Sequence, residues 1–305
     1  MNTIQAGKEA EVQTGAQAEA GRPERRRRSR EFWRNRWNRH AVGMVVPLLA
    51  IVLWQWVAAN GWVHPQVLPA PLEVWRKWVE YLLPLVPYAE YTEGGWCAWA
   101  LSGELPMDIW ASMVRVVLGF AIGAGLALPL GLAMGASPTV YAWMNPFVQI
   151  LRPIPPIAYI PLAILWFGLG NPPAVFLIAL GAFFPVLMNT IAGVRHVDGI
   201  YLRAARNLGA GGTTMFLRVI LPAAVPYILS GVRIGIGTAF IVVIVSEMIA
   251  VNNGLGFRIL EAREYFWSDK IIAGMITIGL LGLAIDVAMN RLNNHLLRWH
   301  RGLEH

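Results

Sequence analysis

Charge is scarce in this chain and lysine nearly missing: 14% of its 305 residues are charged, and lysine occurs only at Lys8, Lys77 and Lys270. None of the three lies in a glycine-rich loop, and no G-x-x-x-x-G-K-[ST] run exists, so nucleotide phosphates have no cradle here. The single cysteine, Cys97, excludes an internal disulfide and a cysteine metal cluster. Six scattered histidines come without an H-E-x-x-H pair or a nucleophile elbow. No catalytic residue, metal or cofactor is therefore expected, and an enzyme is the wrong class.

In place of charge stand apolar runs: 56% of residues are hydrophobic and the mean hydropathy is +0.49. Crossing bilayer hydrocarbon by helix takes about 20 mostly apolar residues. Such runs occupy Ala41–Ala59, Ile109–Met134, Ala174–Ala192, Ala223–Ala250 and Ile271–Asn290. A sixth, Ile157–Leu169, is shorter and proline-rich and needs Arg152–Pro156 to reach across. The expected fold is all-α, a polytopic membrane protein with about six transmembrane helices. The first run starts too far from the N-terminus to be a removable secretion signal.

Basic residues sort unequally along the chain. Nine arginines fall between Arg22 and Arg39, and the 193–222 loop holds Arg195, Arg203, Arg206 and Arg218. Asn60–Asp108 sets only Arg76 and Lys77 against Glu73, Glu80, Glu90, Glu93, Glu104 and Asp108. With six spans this bias puts both termini and the 193–222 loop of a multi-pass protein in the cytoplasm. The basic stretch lacks a folded reading module, so nucleic acid is not an expected partner. Phe32, Trp33 and Trp37 among the arginines predict an interfacial helix on anionic lipid.

The chain divides into a disordered basic tail with that helix (1–40), a first transmembrane helix and external loop (41–106), a membrane core (107–291) and a cytoplasmic C-terminal tail (292–305). In the external loop, Pro69 and Pro71 precede a surface helix over Leu72–Leu83, and Trp96 and Trp99 read as outer-belt anchors. The pairs Gly119/Gly123, Gly131/Gly135 and Gly231/Gly235 predict close helix packing.

The most informative stretch is Arg203-Ala-Ala-Arg-Asn-Leu-Gly209, followed after nine residues by Val219-Ile-Leu-Pro222. Small Ala204 and Ala205 permit close contact, Gly209 permits a turn or αL cap, and Pro222 starts the next helix. Two short helices at an angle outside the membrane, shaped to dock in another protein's groove, are expected. The spacing resembles the E-A-A-x3-G-x9-I-x-L-P signature of binding-protein-dependent ABC importer permeases, departing at Arg203, where the signature has Glu, and at Val219, where it has Ile.

The likeness runs from about Met107 to Trp299, through Arg152-Pro-Ile-Pro-Pro, Pro161-Leu-Ala-Ile-Leu-Trp-Phe-Gly168, Ala182-Phe-Phe-Pro-Val and Ser246-Glu-Met-Ile-Ala-Val-Asn-Asn-Gly-Leu-Gly256. Together these are similar to the nitrate/sulfonate/taurine/bicarbonate permease family. The resemblance implies a type I ABC importer permease fold, a second copy of the permease, two cytosolic ATP-binding subunits and a periplasmic or lipid-anchored substrate-binding protein. It makes Arg203, Ala204, Ala205, Gly209, Leu221 and Pro222 the ATPase-coupling residues and leaves ATP hydrolysis to the partner. At Arg203 a basic residue replaces the family's acid and is free to pair with an acid on the ATPase. A small anion of the nitrate, sulfonate, taurine or bicarbonate class is the implied solute. Similar permeases also serve neutral pyrimidine precursors, and the pore sequence does not select among these.

A charge at the centre of a span costs roughly 2.5–3.5 kcal/mol on insertion scales, so each needs a reason. Arg115, ~9 Å into the second span, and Glu247, near the outer end of the fifth, are placed to form an ion pair or a gate. Asp286 is expected to pair with Arg291 or Arg218. Arg233, ~15 Å deep, has no acid within a turn and is expected to face a wet cavity or a partner subunit, or else to pack against a carbonyl or Asn. Counting from Pro138 buries Arg152 midway, whereas counting from Ile157 puts it at the cytoplasmic edge. The second count is favoured, with an interfacial helix before Arg152 and the proline run as the turn, and Arg152 as inner gate or lipid anchor. Asn252, Asn253, Gly254 and Gly256 read as a flexible outer turn that meets the delivery protein, or as a plain solvated loop. Two rival readings are a channel or carrier that transports without an ATPase and a membrane-embedded enzyme, for which no constellation exists.

Overall fold

A chain this apolar must satisfy most of its backbone within helices, and the computed structural model, which describes residues 45–84, 95–96, 99 and 101–297, is built of helices joined by short turns and loops. The arginine-rich tail, Phe32, Trp33, Trp37, Cys97 and Arg298 onward lie outside the described residues. The chain splits into two units, Met1–Pro71 and Leu72–His305. The first contains α1 (Val45–Ala59), an apolar helix. There the Trp54 indole donates to the Pro69 carbonyl at 3.1 Å, and Trp56 meets Trp62 edge to face at 4.8 Å.

In the second unit, α2 is Pro71–Leu82, and α3 (Glu104–Ala136) is the first long apolar helix. At Ser137 the hydroxyl accepts the Val140 N–H and Pro138 occupies the first turn, which stops α3 and starts α4 (Pro138–Leu151). The proline run ends α4 and feeds a short 3-10 turn (Pro156–Tyr159) and α5 (Ile160–Phe167), the pair bent by 83°. Next come α6 (Asn171–Arg195), α7 (Gly199–Asn207), α8 (Gly212–Ala250), α9 (Leu255–Glu264) and α10 (Ser268–Leu296).

The core is α6, clasped between α3 and α8, with Ile178, Ala182, Val186 and Leu187 fully buried. The glycine pairs make the clasp possible. A Cβ on Gly119 would lie 2.6 Å from Ile178, on Gly131 2.8 Å from Thr190 and on Gly135 2.6 Å from Val194. On the opposite face Gly231 abuts Asn189 and Gly235 abuts Val186. Pro185 breaks the α6 ladder because it has no N–H for the Gly181 carbonyl. The Thr238 hydroxyl of α8 lies 2.9 Å from that oxygen and supplies a donor, shared with its own Gly235 carbonyl.

These contacts fix direction. Residue numbers rise together along α3 and α6, so the two helices are parallel and the chain between them must return across the bundle. The bent pair α4–α5 makes that return, which gives five crossings from α3 to α10, four of them by unbroken long helices. The sequence predicts about six, with Ala41–Ala59 the first; of that run the described part, Val45–Ala59, is the apolar helix α1. The structure corrects one placing, the interfacial helix before Arg152. Gly135 sits beside Val194 at one end, whereas Val148 packs with Ala127, Val186 and Leu187, so α4 climbs to mid-height before the prolines turn it. The count from Pro138 is the one the structure supports.

Candidate functional site

Chemistry gathers at the two ends of the bundle and at one point between them. At the Glu104 end, Asp108, Ser112 and Arg115 stand on one face of α3 at spacings of four and three, and all are buried. They read the backbone of a strap, Val251–Gly256, that links α8 to α9. Asp108 accepts from Gly254 N–H (2.9 Å), the Tyr81 hydroxyl (2.8 Å) and Arg258 Nε (2.7 Å). The Ser112 hydroxyl donates to Glu247 Oε2 at 2.9 Å and accepts Leu255 N–H at 3.1 Å. Glu247 Oε2 also accepts Gly256 N–H at 3.0 Å.

Arg115 completes the knot. Its Nη1 lies 2.7 Å from Glu247 Oε1 and 3.1 Å from the Asn253 carbonyl, its Nε lies 2.7 Å from Asn171 Oδ1, and its Nη2 donates to Asn253 Oδ1. The Arg115–Glu247 pair foreseen from sequence is thus present, with side chains only 5% and 0% exposed. A buried pair of this kind stands because nearly every donor and lone pair is used. Outside the spans, burial pushes the Tyr81 hydroxyl pKa up, helped by the charge of Asp108, so the phenol keeps its proton and donates it. Burial works against the Arg258 charge, but hydrogen bonds to Asp108 and Glu261 outweigh it and raise the guanidinium pKa.

The strap is therefore more than a plain solvated loop: Gly254, Leu255 and Gly256 are buried and hydrogen-bonded, while Asn252 and Asn253 remain exposed. At Gly254, φ +105°, a Cβ would press on the Glu247 carboxylate and Arg115, and a Cβ on Gly256 would run into the Ile244 carbonyl. Asp108, Ser112, Asn171, Arg258 and Tyr81 escaped sequence reasoning. The available signal was the four-then-three spacing of polar residues in an otherwise apolar helix.

At the opposite end, beside Ala136 and Leu296, the chain forms α7. Asp198 caps it by accepting Ile200 N–H at 2.8 Å. Its far end is a Schellman closure: Gly209 sits at φ +81°, its N–H donates to Arg206 O and that of Ala210 to Ala205 O, both at 2.9 Å. None of the nine residues of α7 is buried, and Ile200, Tyr201 and Leu208 are 61%, 58% and 89% exposed. Arg203, Ala204 and Gly209 are exposed too, while Leu221 and Pro222 are half-buried.

The expected second short helix is instead the start of α8. Between Phe216 and Ile220 the turn widens to a π-helix in which Leu221 N–H reaches Phe216 O, and this carries the helix past Pro222, which has no hydrogen to give.

Arg233 is not left without an acid. Its Nη2 and Nε lie 2.7 and 3.1 Å from Asp286 Oδ1 on α10, a residue 53 positions away that a search within one turn cannot find. Asp286 accordingly pairs with Arg233 and not with Arg291 or Arg218. Both side chains are about half exposed, 41% and 49%. Arg152 is exposed and lines a cavity of about 390 Å3 at the proline break. Among the described residues no group of acids, histidines or cysteines is arranged to hold a metal.

Comparison with known proteins agrees with this architecture. Residues 125–302 match the family described as binding-protein-dependent transport system inner membrane component. The taurine transport system permease protein TauC of Escherichia coli is 33% identical over 264 residues, 85% of this chain and 89% of that protein. The nitrate import permease protein NrtB of Synechocystis is 34% identical over 248 residues, 81% of this chain and 85% of that one. Among solved structures, an inward-facing form of the MetNI methionine ABC transporter superposes with TM-score 0.56 at 18% identity, covering 62% of this chain and 94% of its own. That last likeness shows the fold.

Proposed function

Since the chain belongs to the family of binding-protein-dependent inner-membrane transport components and is a permease subunit of an ABC importer, we propose that two copies of it form the membrane path for a small anion, driven by a separate pair of ATP-binding subunits. A substrate-binding protein, periplasmic or lipid-anchored, delivers the solute to the strap end. Taurine and nitrate, named for relatives 33% and 34% identical, support the class: a compact solute bearing an oxyanion. The α7 end faces the cytoplasm, a placing the basic residues of 195–218 support, and both termini lie on that side of the bacterial inner membrane.

The observation that carries this reading is α7 itself. Apolar Ile200, Tyr201 and Leu208 protrude from a helix with no buried residue, capped at both ends by its own chain. An isolated helix of this length is marginal in water and its exposed apolar tip is unsatisfied, which is the condition of a knob awaiting a groove. Arg203, Ala204, Ala205 and Gly209 present the contact, and Leu221 and Pro222 carry the motion into α8. Arg115 and Glu247 hold the outer gate, Arg233 with Asp286 bridges α8 to α10 near the inner side of the path, and Arg152 lies on the path. Alternating access is rocking of one subunit against the other.

The test is ATP-driven uptake by the reconstituted complex of permease, ATPase and binding protein. Gly209→Arg is expected to abolish uptake and substrate-stimulated ATP hydrolysis together while the complex still inserts and assembles. Unchanged substrate-dependent ATPase activity in that variant would refute the coupling role. Uptake by the permease alone would refute the importer reading.

A further inference from the structure

The proline break separates two cavities that share Pro155 and Pro156 as a common wall. The one on the strap side, about 230 Å3, is lined by Ile160, Leu177, Ile241 and Val242, with Ser246 its polar residue. The other, about 390 Å3, sets Arg152 and Asn189 among Leu180, Phe184 and Met188. Phe184 is 184 − 171 = 13 residues into α6, ~20 Å from its start. The larger cavity therefore lies near half the height of the bundle.

An arginine at such depth is stable only beside an anion or water. Among the described residues, Arg115, Arg233 and Arg258 each hold a carboxylate. The Arg152 guanidinium, among the same residues, has neither an ion pair nor a hydrogen-bond acceptor. Asn189 spends one amide hydrogen on the Pro185 carbonyl at 2.8 Å, which leaves its second hydrogen and its Oδ1 free. A planar fork of donors in weakly polar walls suits a small oxyanion. One cation, not several, keeps the hold loose enough for release, since transit needs a site that both admits and lets go.

Resting on the importer reading above, we propose that this cavity is a transit site for a small oxyanion. Arg152 supplies the counter-charge, Asn189 a second donor, and Pro155 with Pro156 the barrier between it and the apolar chamber. The anion-recognising cation is then Arg152, not Arg233, whose charge Asp286 already meets. A lipid phosphate offers the same oxyanion chemistry, so the test separates the two sources.

The full complex carrying Cys97→Ser and Met188→Cys, in phosphatidylcholine vesicles, is labelled with an anionic sulfonate or a cationic trimethylammonium methanethiosulfonate. With Arg152 present the anionic reagent is expected to gain about tenfold over the cationic one. Arg152→Gln removes that preference and Arg152→Lys keeps it. Nitrate or methanesulfonate slows labelling only when residue 152 is basic. In the complex with native Met188, Arg152→Gln lowers uptake of the binding protein's ligand about tenfold while Asn189→Ala lowers it less.

Labelling rates indifferent to reagent charge, or protection by phosphatidylglycerol but not by nitrate, would overturn the site while leaving the importer reading intact. A charge preference and nitrate protection in a complex without ATP-driven uptake would uphold the site and sink the importer reading.

Discussion

The two ends of the bundle are built on opposite plans. The Glu104 end is a lock in which Asp108, Ser112, Arg115 and Glu247 converge on Asn253–Gly256, every one of those four side chains buried. The Ala136 end is a handle, where α7 is held by an Asp198 cap and a Gly209 closure and buries none of its residues. The lesson is that burial goes with the end knotted by polar contacts and exposure with the end proposed above as a partner's grip. The low-stability elements of a protein are those that move or bind.

Breaking the lock should do the most damage. Glu247→Ala leaves Arg115 buried without its carboxylate and strips an acceptor from Ser112 and Gly256, so a loss of about 3–5 kcal/mol is expected. The check is the thermal midpoint of the purified complex, which should fall by many degrees. Gly254→Ala is the next step down. At φ +105° the added Cβ strains the backbone and presses on Glu247, for about 1–3 kcal/mol, read in the same melt. A melt unchanged by both would erase the contrast between the ends.

At the handle the expected order reverses between stability and function. Asp198→Ala removes the cap of α7 for about 1 kcal/mol of local helix stability. Hydrogen exchange at residues 199–207 should quicken and uptake fall while the global melt stays put. The smallest effect belongs to Arg233→Gln, because its pair with Asp286 is about half exposed and such pairs contribute about 0–1 kcal/mol. Its melt should match the parent's within error, in sharp contrast to Glu247→Ala.

Much of this was legible in the sequence and the rest was hidden for definable reasons. Apolar runs located the long helices because lipid demands them, and glycines four apart marked the α3–α6 and α6–α8 contacts because only a missing Cβ allows such approach. The spacing from Arg203 to Pro222 found the handle, and its glycine adopts the left-handed φ that the spacing predicts. Long-range polar partners were not legible: Asp286 finds Arg233 across two helices, and Asp108 and Ser112 find a strap about 140 residues away. The proline run reads as a turn, which it is, but the depth of that turn depends on α3 and α6 being parallel, a fact about tertiary contacts that no local pattern carries.

The hydrogen that Thr238 lends to Gly181 has one more implication. Sliding α8 along α6 by a turn would strand a carbonyl in surroundings with no water to take it, at about 1–3 kcal/mol. Through that loan the two helices are yoked and travel as a single plank. On the two-copy reading proposed above, the way for solute opens between the copies and not along the seam of these two helices.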